Sequence, residues 1–186
     1  MCVGMRIRIQ YPSNWEGVEL TQTLDSNVIR MIMVVAFKPP SNIVGNRKAE
    51  SVIIDIMSSP SPSITLDLYS RAKIFRTRKL FSAFKLIELT STTLAGLPAQ
   101  KMVYTHSSIF KVTQIWTVKG NKAYAIVYAN IAKEPHLPPV VQKMIDSFEI
   151  VSEPQTANLN TQTVTEMIAY ENPRFGLDRI FIIVTV

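Results

Sequence analysis

Few residues of this 186-residue chain could do chemistry. Two imidazoles, His106 and His136, have an ordinary pKa near neutrality, and either could act as a general base. His106 falls at the end of an expected strand and His136 in a Pro-rich loop, and neither has a nucleophile motif beside it. Asp146-Ser147 sets a hydroxyl next to a carboxylate. No Gly-x-Ser-x-Gly elbow surrounds the pair, so Ser147 reads as a residue that ends a helix. Glu16, Glu19 and Asp25 are acids grouped near a loop; calcium needs several converging oxygens, and this spacing matches no EF-hand. The single Cys, Cys2, rules out an internal disulfide, and with only two His it leaves no usual Cys/His zinc set. The six Gly residues are scattered singly, so no Gly-rich phosphate loop is present. Trp15 and Trp116 read as core and hairpin packing rather than ligand platforms.

The remaining candidate is electrostatic. The chain carries a net charge of +6, and residues 66–85 concentrate it: Arg71, Lys73, Arg76, Arg78, Lys79 and Lys85 stand against Asp67 alone. From Glu153 onward the sign reverses, with four acids against Arg174 and Arg179. A basic cluster attracts anionic lipid, nucleic acid or an acidic protein. No array of stacking aromatics accompanies this one, which disfavours nucleic acid. Arg71, Lys73, Arg76, Arg78 and Lys79 are therefore the candidate anion or partner contacts; otherwise they form a solvated helix face.

The elements that must hold these residues follow from periodicity and turn chemistry. The composition, 47% hydrophobic and 18% charged, supports a packed core. The longest apolar run, Met31 to Phe37, is far shorter than the ~20 residues of a membrane-spanning helix. No charged head followed by an apolar stretch opens the chain, so no secretory signal is expected. Met5 to Ile9 alternates apolar and basic residues, the period of a half-buried strand, and Tyr11-Pro12-Ser13-Asn14 ends it. Further strands are expected over Trp15–Leu20, Asn27–Phe37 and Glu50–Met57. Four more follow in quick succession over Lys85–Ser91, Ala99–His106, Phe110–Val118 and Ala123–Asn130, and short turns between them imply antiparallel pairing. Between the two sets, Ser63 caps a helix running to about Leu80, with Leu68, Ala72, Phe75 and Lys79 recurring on one stripe taken to face the core. A second helix opens at Glu134-Pro135 and presents Val140, Val141, Met144, Ile145 and Phe148, before a short strand Glu149-Ile150-Val151. The sum is an α+β fold, one antiparallel sheet with helices packed on its faces.

Ile7-Arg8-Ile9-Gln10-Tyr11-Pro12-Ser13-Asn14-Trp15 resembles the opening strand and turn of the PsbP family, above all its archaeal members. Gly96-Leu97-Pro98-Ala99, the hairpin through Gly120-Asn121-Lys122-Ala123-Tyr124, and Lys143 to Ile150 agree with it. The resemblance covers residues 4–151. It implies an α/β/α sandwich around a central antiparallel sheet, with Tyr11, Pro12, Trp15 and Phe148 as structural residues. Plant members are extrinsic subunits of the photosystem II oxygen-evolving complex and help it retain calcium and chloride. By resemblance alone, calcium is thus possible here, and an extracytoplasmic or cell-surface location is implied.

The function expected is a non-enzymatic interaction domain that docks on a protein assembly or surface. An anion-binding module acting through the 66–85 helix on lipid or nucleic acid, and a hydrolase with a cleft invisible in the sequence, are the alternatives. Residues 1–152 read as the domain and 153–164 as a polar linker. Tyr170 to Leu177 resembles the lead-in to the first strand of archaeal PsbP-like proteins, but the copy loses register after Gly176. Residues 165–186 therefore read as the truncated start of a second repeat, or else as an added edge strand.

Overall fold

The computed structural model describes residues 6–26, 29–39, 51–58, 64–106, 110–131, 136–151, 167–170 and 180–185. Cys2, Ser63, the linker at 153–164 and the segment 171–179, including Gly176, lie outside them. In chain order the elements are β1 (Arg6–Gln10), β2 (Glu16–Ser26), β3 (Ile29–Lys38), β4 (Ser51–Ser58), α1 (Leu66–Leu80), β5 (Lys85–Leu94), β6 (Leu97–Thr105), β7 (Phe110–Lys119), β8 (Lys122–Ile131), α2 (Pro139–Asp146), β9 (Glu149–Val151), β10 (Met167–Tyr170) and β11 (Ile180–Thr185).

Seven strands form one wholly antiparallel sheet in the order β2-β3-β4-β8-β7-β6-β5. Strands β2 to β4 pair in sequence, and so do β5 to β8. Helix α1 carries the chain between the two runs, so that β8 returns beside β4 with Asp55 opposite Ala125. The β5–β6 connection is two residues long, Ala95 and Gly96, both at positive φ (52° and 72°). That geometry matches the twist of the flanking strands, and glycine adopts it without a Cβ penalty.

The other strands form a second, four-stranded sheet, β10-β11-β1-β9. Here the expectation of a single sheet fails. Pro12 has no amide hydrogen, and the Trp15 amide donates to the Pro12 carbonyl (2.9 Å), closing a turn that takes β1 out of the main sheet. Strand β1 runs antiparallel to β9 and parallel to β11, from Arg6 opposite Phe181 to Gln10 opposite Thr185. A parallel pair requires a long crossover, and nearly the whole chain separates these two strands.

Alternation along the strands divides the core in two. Val52, Ile54, Ile56, Ile115, Tyr124, Ile126 and Tyr128 pack with Ile7 and Ile9 of β1, with Trp15, and with Val141, Met144 and Ile145 of α2. Phe148, just beyond α2, belongs to the same cluster. On the alternate positions Met57, Met102, Tyr104, Val112, Trp116, Ala123 and Ala125 pack with Tyr69 of α1. Pro139 opens α2 at a position where its missing donor costs nothing. At the far end Ser147 Oγ accepts from the Gln10 amide (2.9 Å) and donates to the Met144 carbonyl (2.8 Å), tying β1 to α2.

Tyr11 packs on Phe37 with ring centroids 4.6 Å apart and the planes tilted by 40°, and Trp15 is 9% exposed within the first cluster. Trp15→Ala is expected to cost about 3–5 kcal/mol, the range for a buried aromatic. A chemical-denaturation midpoint measures it; a midpoint that hardly moves contradicts this packing role.

Candidate functional site: the two faces of helix α1

All five candidate cations sit on α1, at positions whose surroundings differ sharply, because the helix is rotated from the orientation the apolar stripe implied. Thr65, not Ser63, caps it: the Thr65 hydroxyl accepts from the Leu68 amide (3.2 Å). Asp67 in the first turn and Arg78 and Lys79 in the last complement the helix dipole. The buried face is Tyr69, Ser70 and Thr77, with Leu66 and Ile74 partly buried beside them. Leu68 and Phe75, expected in the core, are 59% and 61% exposed.

The reason is hydrogen bonding. Trp116 on β7 is fully buried and its indole N–H needs an acceptor; Ser70 Oγ supplies it at 2.8 Å. Ser70 and Thr77 each donate to the carbonyl one turn back, Leu66 (2.6 Å) and Lys73 (2.9 Å), so their hydroxyls are buried already satisfied. Small satisfied hydroxyls let α1 approach the sheet, and the apolar stripe is turned outward.

Between α1 and the sheet lies a polar seam. Tyr69 Oη donates to Met57 Sδ at 3.5 Å, and Gln114 Nε2 donates to Tyr104 Oη at 3.0 Å. Asp55 is buried at the centre of β4. Its Oδ1 and Gln114 Oε1 have no partner among the described residues. Burial pushes the Asp55 carboxyl above its ordinary range, and the Lys73 ammonium partly opposes the shift. Burial also raises the Tyr69 hydroxyl, and it raises Tyr104 to about 12, with the Asp55 charge adding to the latter. A phenol held protonated in this way is a poor base or nucleophile at neutral pH.

The cations divide accordingly. Lys73 faces inward: it is half-buried, with Nζ 5.6 Å from the Trp116 ring and 5.9 Å from the Tyr69 ring. Arg76 is half-buried on the flank. Arg71, Arg78 and Lys79 are exposed. Arg71 pairs with Asp67 at 3.0 Å, Arg78 lies 5.7 Å from the Phe84 ring, and Lys79 Nζ lies 5.5 Å from the Phe75 ring. The outward face is thus Leu68, Arg71, Ala72, Phe75, Arg78 and Lys79, spaced at helical intervals.

The other candidates are dispersed. His106 is half-buried and stacks on Phe81 (4.5 Å) and Phe110 (5.5 Å), while His136 is exposed ahead of α2. Glu16 is exposed at the start of β2; the side chains of Glu19 and Asp25 lie outside the described set. Ser147 is the C-cap of α2. Among the described residues no three His, Cys, Asp or Glu side chains gather as metal ligands, and no helix is long and apolar enough to cross a membrane.

The chain matches no known family description and no curated protein. Among solved structures it is similar to cyanobacterial PsbP (CyanoP) from Synechocystis sp. PCC 6803, with a TM-score of 0.53 at 14% identity, covering 76% of this chain and 84% of that one. It is also similar to LpqN, a protein involved in cell envelope biogenesis of Mycobacterium tuberculosis, with a TM-score of 0.41 at 13% identity, covering 80% and 84% of the two chains. The likeness to cyanobacterial PsbP shows a PsbP-like α+β fold: mostly antiparallel sheet with two helices.

Two predictions test the α1 seam. Ser70→Ala strands a buried indole N–H and is expected to cost about 1–3 kcal/mol. Its calorimetric signature is a lowered melting temperature; no change means the Trp116–Ser70 bond is not formed. For Asp55 the sign follows from its raised pKa. The folded chain binds that proton more tightly than the unfolded one, so stability falls as pH rises from the ordinary carboxyl range through the raised folded value. Asp55→Asn removes that loss. Urea midpoints of the variant and the parent are expected to diverge in favour of the variant as pH rises from about 4; parallel curves contradict the buried placement.

Proposed function

We propose that this chain is a non-enzymatic docking domain of PsbP-like fold that holds a protein assembly or a surface through the outward face of α1. One observation carries the reading. Arg71, Arg78 and Lys79 stand exposed around Leu68 and Phe75 on a helix whose other side alone is used by the fold. None of these five side chains is buried in the core, and Asp67 is the one acid on the helix. The docking unit is residues 1–152 in an α/β/α sandwich, with 153–164 as linker. Residues 165–186 are an accessory segment, a truncated repeat start or an edge strand. Support for the unit's independence comes from β1, which has attachments that do not involve β11: β9 on its other edge, the Ser147 bonds, and an Arg8–Glu149 ion pair at 3.2 Å.

The test separates folding from binding. Exposed ion pairs contribute about 0–1 kcal/mol each, so changing Arg71, Arg78 and Lys79 together to Gln is expected to leave melting nearly unchanged. The same triple change is expected to weaken retention on immobilised polyglutamate and to flatten its salt dependence. Unfolding of the triple variant, or an unaltered salt profile, overturns the reading. A chain ended at Ser152 is expected to melt cooperatively, as seen by calorimetry; loss of that transition makes 165–186 part of the folding unit.

A further inference from the structure

We infer that the outward face of α1 lays this domain on an anionic lipid surface, with Leu68 and Phe75 entering the headgroup layer and Arg71, Arg78 and Lys79 meeting lipid phosphates. The inference rests on the docking reading above and narrows it to one occupant.

The argument begins with what the fold left out. Leu68 and Phe75 are seven residues apart, two turns, so they stand in line about 10 Å apart along the helix. Both are more than half exposed, while Ser70 and Thr77 occupy the interior. Ala72 lies between them and has no side chain long enough to stand proud of the pair. Arg71 and Arg78, also seven apart, run along one flank, and Lys79 stands in line with the pair, one turn beyond Phe75. The arrangement is an apolar line with cations along one flank and at its end, suited to a helix that lies in the plane of a membrane interface.

The same geometry argues against the other occupants. Against nucleic acid, the centre of the face would set a leucine and a phenylalanine against phosphates, where apolar burial gains little. Against a protein, a stable interface buries about 800 Å² on each partner with matched shape. One convex helix with two apolar anchors offers less than that. A lipid surface needs no matching shape. The cation contacts are also exchangeable. The Arg71–Asp67 pair is solvent-exposed at both ends and so weak, and Lys79 lies over the Phe75 ring on a stem long enough to reach past it to a headgroup.

The test uses the full chain with vesicles of phosphatidylcholine alone, vesicles containing phosphatidylglycerol, and a short DNA duplex. The parent is expected to sediment with phosphatidylglycerol vesicles, to ignore phosphatidylcholine, and to bind the duplex more weakly. Leu68→Ser with Phe75→Ser is expected to lower vesicle partitioning about tenfold. Phe75→Trp adds a position-specific signal: its emission is expected to shift to the blue on anionic vesicles, against the buried Trp15 and Trp116. Equal sedimentation with both vesicle types, preference for the duplex, or no effect of the serine pair on partitioning each overturns the lipid assignment. If polyglutamate retention survives in those cases, the docking reading stands without it. Insensitivity of retention to the triple Gln change sinks both.

Discussion

The indole N–H of Trp116 is a donor that cannot reach water. Trp116 lies in the middle of the main sheet and is fully buried, and Ser70 on α1 accepts its hydrogen bond at 2.8 Å. An unpaired donor there costs more than the bond itself is worth, so the pairing constrains α1 in rotation as well as in position. With Ser70 turned inward, Tyr69 and Thr77 follow it by helical spacing, and Leu68, Arg71 and Phe75 must turn outward. A single polar requirement in the sheet thereby determines which chemistry the helix shows to the solvent.

The same constraint organises the electrostatics. Tyr69 brings its hydroxyl over Met57, and Lys73, one turn along, lies over the Trp116 and Tyr69 rings. Its charge is then close enough to the buried Asp55 to offset part of the cost of that carboxyl. Of the cations that look equivalent along the sequence, Lys73 serves the interior and Arg71, Arg78 and Lys79 serve the surface. On the opposite side of the sheet Ile7, Ile9, Trp15 and α2 share one hydrophobic cluster. The sheet therefore separates a core packed around β1 and α2 from a seam that orients the exposed face.

Much of the strand order was legible from local chemistry. Alternation marked β1, turn formers bounded β5 to β8, the prolines marked the turn after β1 and the start of α2, and close spacing implied the antiparallel meander. The α2 face was legible because Val141, Met144, Ile145 and Phe148 are apolar at the right spacing and are the residues buried. The α1 face was misread by the same rule. Leu68, Ala72, Phe75 and Lys79 satisfy the period of an amphipathic helix as well as Leu66, Ser70, Ile74 and Thr77 do, and hydropathy favours the first set. The signal that could have found the second set was two hydroxyl residues seven apart, each able to satisfy itself on the preceding turn.

The sequence by itself determined the elements, the turns, the sign of the charge and its concentration on one helix, because each of these depends on neighbours a few residues away. The tertiary structure decided three things that local pattern does not contain. It set β1 in a second sheet beside β11, since strand partners are chosen across the whole chain. It buried Asp55 where alternation alone would allow either face to meet water. And it chose the rotation of α1, because the acceptor that Trp116 required lies forty-six residues away in the chain and becomes its neighbour only when helix and sheet are brought together.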